Sequence, residues 1–135
     1  MRTFEENDVV PAVAQYAHRI TGFYPKEWLE DNKNVALIND RGDVALFEYY
    51  SKGVYTGHYF FWSRGKEAVS SAEDFLSEFF TEYDVEVLQG WTPLVNRGAR
   101  WMNKRLGFKS YGVLLFEDPC EHVMMTKQEW KNKYE

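Results

Sequence analysis

The sequence predicts an α+β domain: a mixed, mostly antiparallel sheet flanked by helices. Three stretches carry that prediction. Tyr55 to Gly112 reads as strand, turn, helix, strand, helix. A connection that long pairs its two strands in parallel with a right-handed crossover, because a hairpin needs a far shorter link. Before it, short strands separated by tight turns form an antiparallel meander. After it, Tyr111 to Phe116 and Glu121 to Met125 make a hairpin across Glu117-Asp118-Pro119-Cys120.

The elements follow in order. Met1 to Thr3 start a first strand. Asp8 caps a helix through about Ile20, with Val10, Val13, Ala14, Ala17 and Ile20 on one face. Pro11 is tolerated in its first turn, where amides lack helical partners. Gly22 and Pro25 end that helix. Pro25 to Asp31 form a short one anchored by Trp28 and Leu29. Val35 to Ile38 is a strand, and Asp40-Arg41-Gly42-Asp43 a turn. Val44 to Tyr50 alternates Ala45, Phe47 and Tyr49 against Leu46, Glu48 and Tyr50. Ser51-Lys52-Gly53 turns the chain into the aromatic strand Val54 to Trp62.

From Gly65 to about Phe80, the residues Ala68, Ala72, Phe75, Leu76, Phe79 and Phe80 recur at helical spacing and face a core. Glu67, Glu73, Asp74 and Glu78 form the solvated side. Val85 to Leu88 is the next strand, with Trp91 as its furthest extent. Thr92-Pro93 ends it. Asn96 caps a second helix, which sets Ala99, Met102 and Leu106 toward the core and stops at Gly107. Thr126-Lys127-Gln128-Glu129 is a capping box, opening a short helix that carries Trp130 and Tyr134.

Length and charge narrow the function. The 135 residues fit a single domain, 1–135, able to bury a core without disulfides or metal. A net charge of −5 argues against nucleic acid as the main partner, since phosphate binding needs a basic surface. The single Cys120 cannot form an internal disulfide, which points to a reducing compartment. No apolar run is long enough to span a bilayer, and Glu5, Glu6 and Asp8 replace a signal peptide. The expectation is a soluble protein of the cytoplasm, or one packaged into a particle made there. His18 and His122 read as structural, because nothing near His18 completes a metal set.

The turn at Ser63-Arg64-Gly65 can do chemistry. A helix opening at glycine presents free N–H groups and the positive end of its dipole, a ready anion site. Arg64 and Lys66 add positive charge beside it. A plain strand-to-helix connection explains the same residues.

Further motifs resolve into a resemblance. Asn96-Arg97-Gly98-Ala99, Leu106-Gly107-Phe108 and Tyr111-Gly112 resemble the segment after the fifth strand of the GNAT acyltransferase superfamily. Arg64-Gly65 lies upstream at the family's usual distance. The resemblance spans roughly Val35 to Met125 and implies a GNAT acyl-CoA N-acyltransferase-like fold. From Gly57-His58-Tyr59-Phe60-Phe61 and Ser63-Arg64-Gly65, the chain looks most like small GNAT-like proteins of tailed bacteriophages. Some of those, from short-tailed phages, are labelled head-assembly or internal-virion proteins. The resemblance implies acetyl-CoA held by Arg64, Gly65, Lys66, Ala68 and Asn96, with no metal. Asn96 reads equally as a helix cap.

Two departures weaken the implied chemistry. The family loop is Arg/Gln-x-x-Gly-x-Gly/Ala, and here its last two fixed positions hold Glu67 and Val69. Glu67 brings a carboxylate toward phosphate charge. Many active members place a tyrosine seven residues after the asparagine to protonate the leaving thiolate; here that position is Asn103. Tyr111 is the substitute acid the sequence offers. Glu48 and His58 are the candidate bases, Glu48 through a pKa raised by burial and His58 through its ordinary pKa. The reading is a GNAT-like phage protein with weakened or absent acetyltransferase activity. Its partners would be virion or head proteins, and its location the host cytoplasm or the virion. The alternative is an active acetyl-CoA-dependent N-acetyltransferase.

Overall fold

The computed structural model describes residues 1–16, 23–115 and 117–135. In chain order the elements are β1 (Arg2–Thr3), α1 (Glu6–Ala14), α2 (Pro25–Glu30), β2 (Val35–Ile38), β3 (Val44–Ser51) and β4 (Val54–Phe60). Then come α3 (Gly65–Glu82), β5 (Val87–Pro93), α4 (Arg97–Leu106), β6 (Lys109–Leu115), β7 (Pro119–Thr126) and α5 (Lys127–Tyr134). The strands form one seven-stranded sheet in the order β1-β2-β3-β4-β5-β7-β6.

One pairing positions everything else. β4 and β5 run parallel, but only through Val54↔Val87, Tyr55↔Leu88 and Thr56↔Gln89. Beyond Thr56, β4 stays with β3 as far as Val44↔Phe60. β5 stays with β7 as far as Pro93↔Cys120. The two strands therefore part and leave a gap at their C-terminal ends. The other pairings are antiparallel, as the meander and the hairpin predict.

The period-2 alternation of β3 feeds a core on each face of the sheet. Ala45 and Phe47 join Phe75, Leu76, Phe79 and Phe80 of α3, with Leu106 of α4 and Trp130 of α5. Val44 and Leu46 meet Val9, Ala12 and Val13 of α1 and Leu29 of α2. The predicted stripe of α3 is buried in full, as are Leu106 and Trp130. The capping box forms: Thr126 Oγ1 accepts from Glu129 N–H at 3.1 Å, and Glu129 Oε1 accepts from Thr126 N–H at 3.0 Å.

Several sequence expectations shift. Asp8 does not cap α1. The helix starts at Glu6, and Asp8 accepts the Thr3 hydroxyl at 2.6 Å from within the first turn. Thr3 Oγ1 also accepts the Glu5 N–H at 3.1 Å, which ties the helix start to β1. The buried stripe is consequently Val9, Ala12 and Val13, while Val10 and Ala14 are exposed. Ala17, His18, Ile20, Gly22 and Phe116 lie outside the described residues. β5 starts at Val87 rather than Val85, because the Gly53 carbonyl accepts from both Glu86 and Val87 N–H, at 2.7 and 3.0 Å. On α4, Ala99 and Met102 are only half-buried, and Asn103 is the residue buried beside Leu106.

Candidate functional site

The gap between β4 and β5 opens into two adjoining clefts. The larger, about 530 Å³, lies between the start of α3 and the inner face of α4. The smaller, about 280 Å³, fills the splay and reaches His58, Gln89 and Trp91. Tyr16, Tyr59, Asn96, Ala99 and Asn103 line both. The larger volume falls within the range of small-molecule pockets, about 300–1,000 Å³.

The turn that opens α3 is held from beneath by a residue the sequence hides in a loop. Asp43 is fully buried. Its Oδ1 accepts the N–H groups of Trp62 at 2.7 Å and Ser63 at 3.0 Å. Its Oδ2 accepts the Ser71 hydroxyl at 2.7 Å. Asn39 Nδ2 and Arg41 Nη2 donate to the same Ser71 oxygen, at 2.9 and 2.7 Å. Burial alone would raise the Asp43 pKa, but the hydrogen bonds from Ser63, Ser71 and Trp62 outweigh it and hold the carboxyl below its usual range. One carboxylate thus joins the β2–β3 turn, the β4–α3 turn and the second turn of α3.

Gly65 follows with φ +59°, the left-handed region that glycine enters without penalty. A Cβ there would meet nothing within 4 Å. Backbone conformation, and not crowding, demands the glycine. Gly65→Ala should therefore lower stability by roughly 1–2 kcal/mol, read as a shifted urea midpoint at constant m.

The predicted cofactor residues divide. Arg64, Gly65, Ala68 and Asn96 all line the larger cleft. Arg64 differs from expectation in its orientation. Its Nη1 turns back onto the carbonyls of Phe61, Ser63 and Trp62, at 2.7, 2.9 and 3.2 Å, and braces the turn. Lys66 and Glu67 are exposed and outside the cleft wall, and Val69 packs inward. Asn96 caps α4, its Oδ1 accepting from Ala99 N–H at 3.1 Å.

The predicted acid and bases fall in different places. Tyr111 is 53% exposed on β6 and lines neither cleft. The hairpin carries it outward, to a position 6.3 Å from the His122 ring. Asn103 is buried in the cleft floor and donates to Thr92 Oγ1 at 2.9 Å. Glu48 is half-exposed, and its pKa is lowered rather than raised. The neighbouring His58 imidazole is the main cause and burial opposes it, while Trp28 Nε1 donates at 3.2 Å. Glu48 and His58 are each other's partners, with Oε1 and Nε2 3.8 Å apart on the α2 side of the sheet. His122 stacks on Trp91 at 4.9 Å and holds Gln89 Oε1 at 3.3 Å. Among the described residues, no group of three or more His, Cys, Asp or Glu is placed to hold a metal ion. No described helix is long and apolar enough to cross a membrane.

Comparison with solved structures settles the architecture. A variant of the spermidine N-acetyltransferase SpeG from Vibrio cholerae superimposes with a TM-score of 0.79 over 100% of this chain and 98% of that one, at 12% identity. The fold is that of the GNAT acetyltransferases. A dodecameric structure of the Vibrio cholerae enzyme gives 0.78 over 99% of this chain and 96% of that one, at 14% identity. A GNAT-family acetyltransferase from Bacillus anthracis gives 0.62 over 78% and 74%, at 14% identity. No family model and no curated protein sequence matches the chain. The likeness is therefore one of fold.

Proposed function

We propose that this chain binds acetyl-CoA in the larger cleft and is a weak N-acetyltransferase. One observation carries the reading: the first turn of an 18-residue helix opens into a cleft that continues into the splay of the two parallel strands. The residues present suit the ligand. Arg64, at the N-cap, makes no side-chain cap, which leaves the first N–H groups of α3 for an anion. Ala68, Ala99 and Met102 give an apolar wall for the pantetheine arm. Bound there, acetyl-CoA would supply a thioester for attack by an amine. The chain's part is to anchor the phosphates, exclude water with Tyr59 and Phe61, and hold the ends of the two strands apart. Asn103 cannot donate an ionisable proton, which supports slow transfer.

The test is calorimetry with acetyl-CoA, expected to show micromolar binding that weakens with added salt. Gly65→Asp sets a carboxylate before the phosphates, in a backbone region that Asp enters more readily than most residues. Affinity should fall at least about tenfold, while the unfolding temperature falls less than in Gly65→Ala. Undetectable binding by the natural protein would sink the reading. Spermidine, the acceptor named for the Vibrio cholerae enzymes, is the first amine to try in a turnover assay.

A second reading is action through protein contacts in virion or head assembly, with the host cytoplasm or the virion as its place. One observation favours it. Edge strand β6 is exposed along its whole length and presents Val113 and Leu115, 51% and 86% exposed.

A further inference from the structure

We propose that a third cleft, between α4 and the β6–β7 hairpin, is a binding site for a small aromatic carboxylate. The site goes beyond the acetyl-CoA reading and does not depend on it.

The cleft holds about 420 Å³, within the range of small-molecule pockets. Arg100, Trp101 and Lys104 line it from α4, and Ser110, Glu121 and Val123 line it from the hairpin. Phe108, in the link between helix and hairpin, completes the wall. Arg100 and Lys104 are four residues apart, which sets both on one face of the helix. Asn103 and Leu106 are the buried residues of α4.

Two features call for a flat ring. Trp101 is 55% exposed, although its indole is a large apolar surface. Phe108 and Val123 line the same cleft and supply more apolar surface beside it. A bare aromatic face in a concavity with apolar walls suits a stacked planar ligand.

The polar groups call for one negative charge. α4 carries Arg97, Arg100, Lys104 and Arg105 and no acid, in a chain of net charge −5. Arg100 is committed: its Nε lies 3.5 Å from Glu121 Oε1, and its Nη1 donates to the Leu94 carbonyl at 3.4 Å. That pairing offsets the Glu121 charge. Lys104 forms no ion pair among the described residues. Ser110 Oγ accepts the Gly112 N–H at 3.4 Å, which leaves its own hydrogen to donate. An ammonium and a hydroxyl thus remain for an acceptor, and a carboxylate supplies one. A phosphate dianion suits the cleft less, because the Glu121 carboxylate faces it too.

The experiment titrates phenylacetate, its uncharged amide phenylacetamide, and acetate into the protein, followed by backbone amide NMR shifts. Phenylacetate should give saturable shifts centred on Lys104, Phe108, Ser110 and Val123. It should bind up to about fivefold tighter than phenylacetamide, the scale of one exposed charge contact. Acetate lacks the ring and should not saturate where phenylacetate does. Lys104→Gln should bind acid and amide alike. Trp101→Ala should weaken both ligands about fivefold, the scale of one lost ring contact. Both side chains are exposed, so both variants should unfold at the temperature of the natural protein. Failure of phenylacetate to saturate overturns the assignment. So does equal affinity for acid and amide in the natural protein, or an unchanged preference in Lys104→Gln. Unchanged affinities in Trp101→Ala overturn it by removing the ring contact. Shifts centred on Gly65, Ala68 and Ala99 overturn it by placing the ligand in the larger cleft.

Discussion

Phe79→Ala should destabilise the protein by about 3–5 kcal/mol. The side chain is fully buried at the centre of the α3 face. It stacks on Phe47 with ring centroids 3.9 Å apart and planes 5° apart, and it takes the edge of Tyr55 at 5.1 Å and 90°. Tyr83 adds a tilted contact at 5.5 Å. The rings come from β3, β4 and the end of α3, so no single segment can move in to fill the space. Loss of the ring therefore leaves a cavity, whose cost adds to that of the lost apolar burial. Against a total stability of about 5–15 kcal/mol, that loss is a large share. Phe75→Ala, 2% exposed and with the nearest aromatic ring at 5.8 Å, should fall at the lower end of the same range. Urea unfolding at constant m measures both. A loss below about 1 kcal/mol for Phe79→Ala would mean that α3 packs by another face.

That core was legible because its signal is local and periodic. Phe75, Leu76, Phe79 and Phe80 repeat at helical spacing, and hydrophobic burial follows the repeat. The parallel pairing of β4 with β5 was legible from connection length alone. The stripe of α1 was misread by one position because Thr3, an unpatterned polar residue, sets where the helix starts. The candidate site was legible in its glycine and its cap, Gly65 and Asn96, since each answers a backbone requirement. It was illegible where function depends on long-range partners. Glu48 and His58 are ten positions apart, and only the β3–β4 register, with Leu46 opposite His58, brings them together. Asp43 sits in a stretch, Asp40-Arg41-Gly42-Asp43, whose turn chemistry explains it without remainder. Its true partners lie 19 to 28 residues away.

Asp43→Ala is the second large effect, expected at roughly 3–4 kcal/mol. The substitution leaves two backbone N–H groups, at Trp62 and Ser63, and the Ser71 hydroxyl without their acceptor. Each buried orphan costs about 1–3 kcal/mol, and movement of the loop toward water relieves part of it. Relief is available because Trp62 is already 50% exposed. That same movement displaces Ser63, Arg64 and Gly65 and disorganises the start of α3, so acetyl-CoA affinity should fall together with stability. Asp43→Asn separates the contributions. Its amide oxygen can still accept both N–H groups, while its NH₂ cannot accept from Ser71, and a loss of about 1–2 kcal/mol is expected. The pH dependence gives a further check. The folded pKa of Asp43 lies below the ordinary value of 3.8, so the unfolded chain takes up its proton first as the pH falls. Its contribution is complete above the unfolded pKa and disappears as the pH drops through the folded one. The natural protein should therefore lose stability below about pH 4 more steeply than Asp43→Asn, which has no carboxyl at that position to protonate. Parallel acid limbs for the two proteins would show that the carboxylate is not what holds the turn.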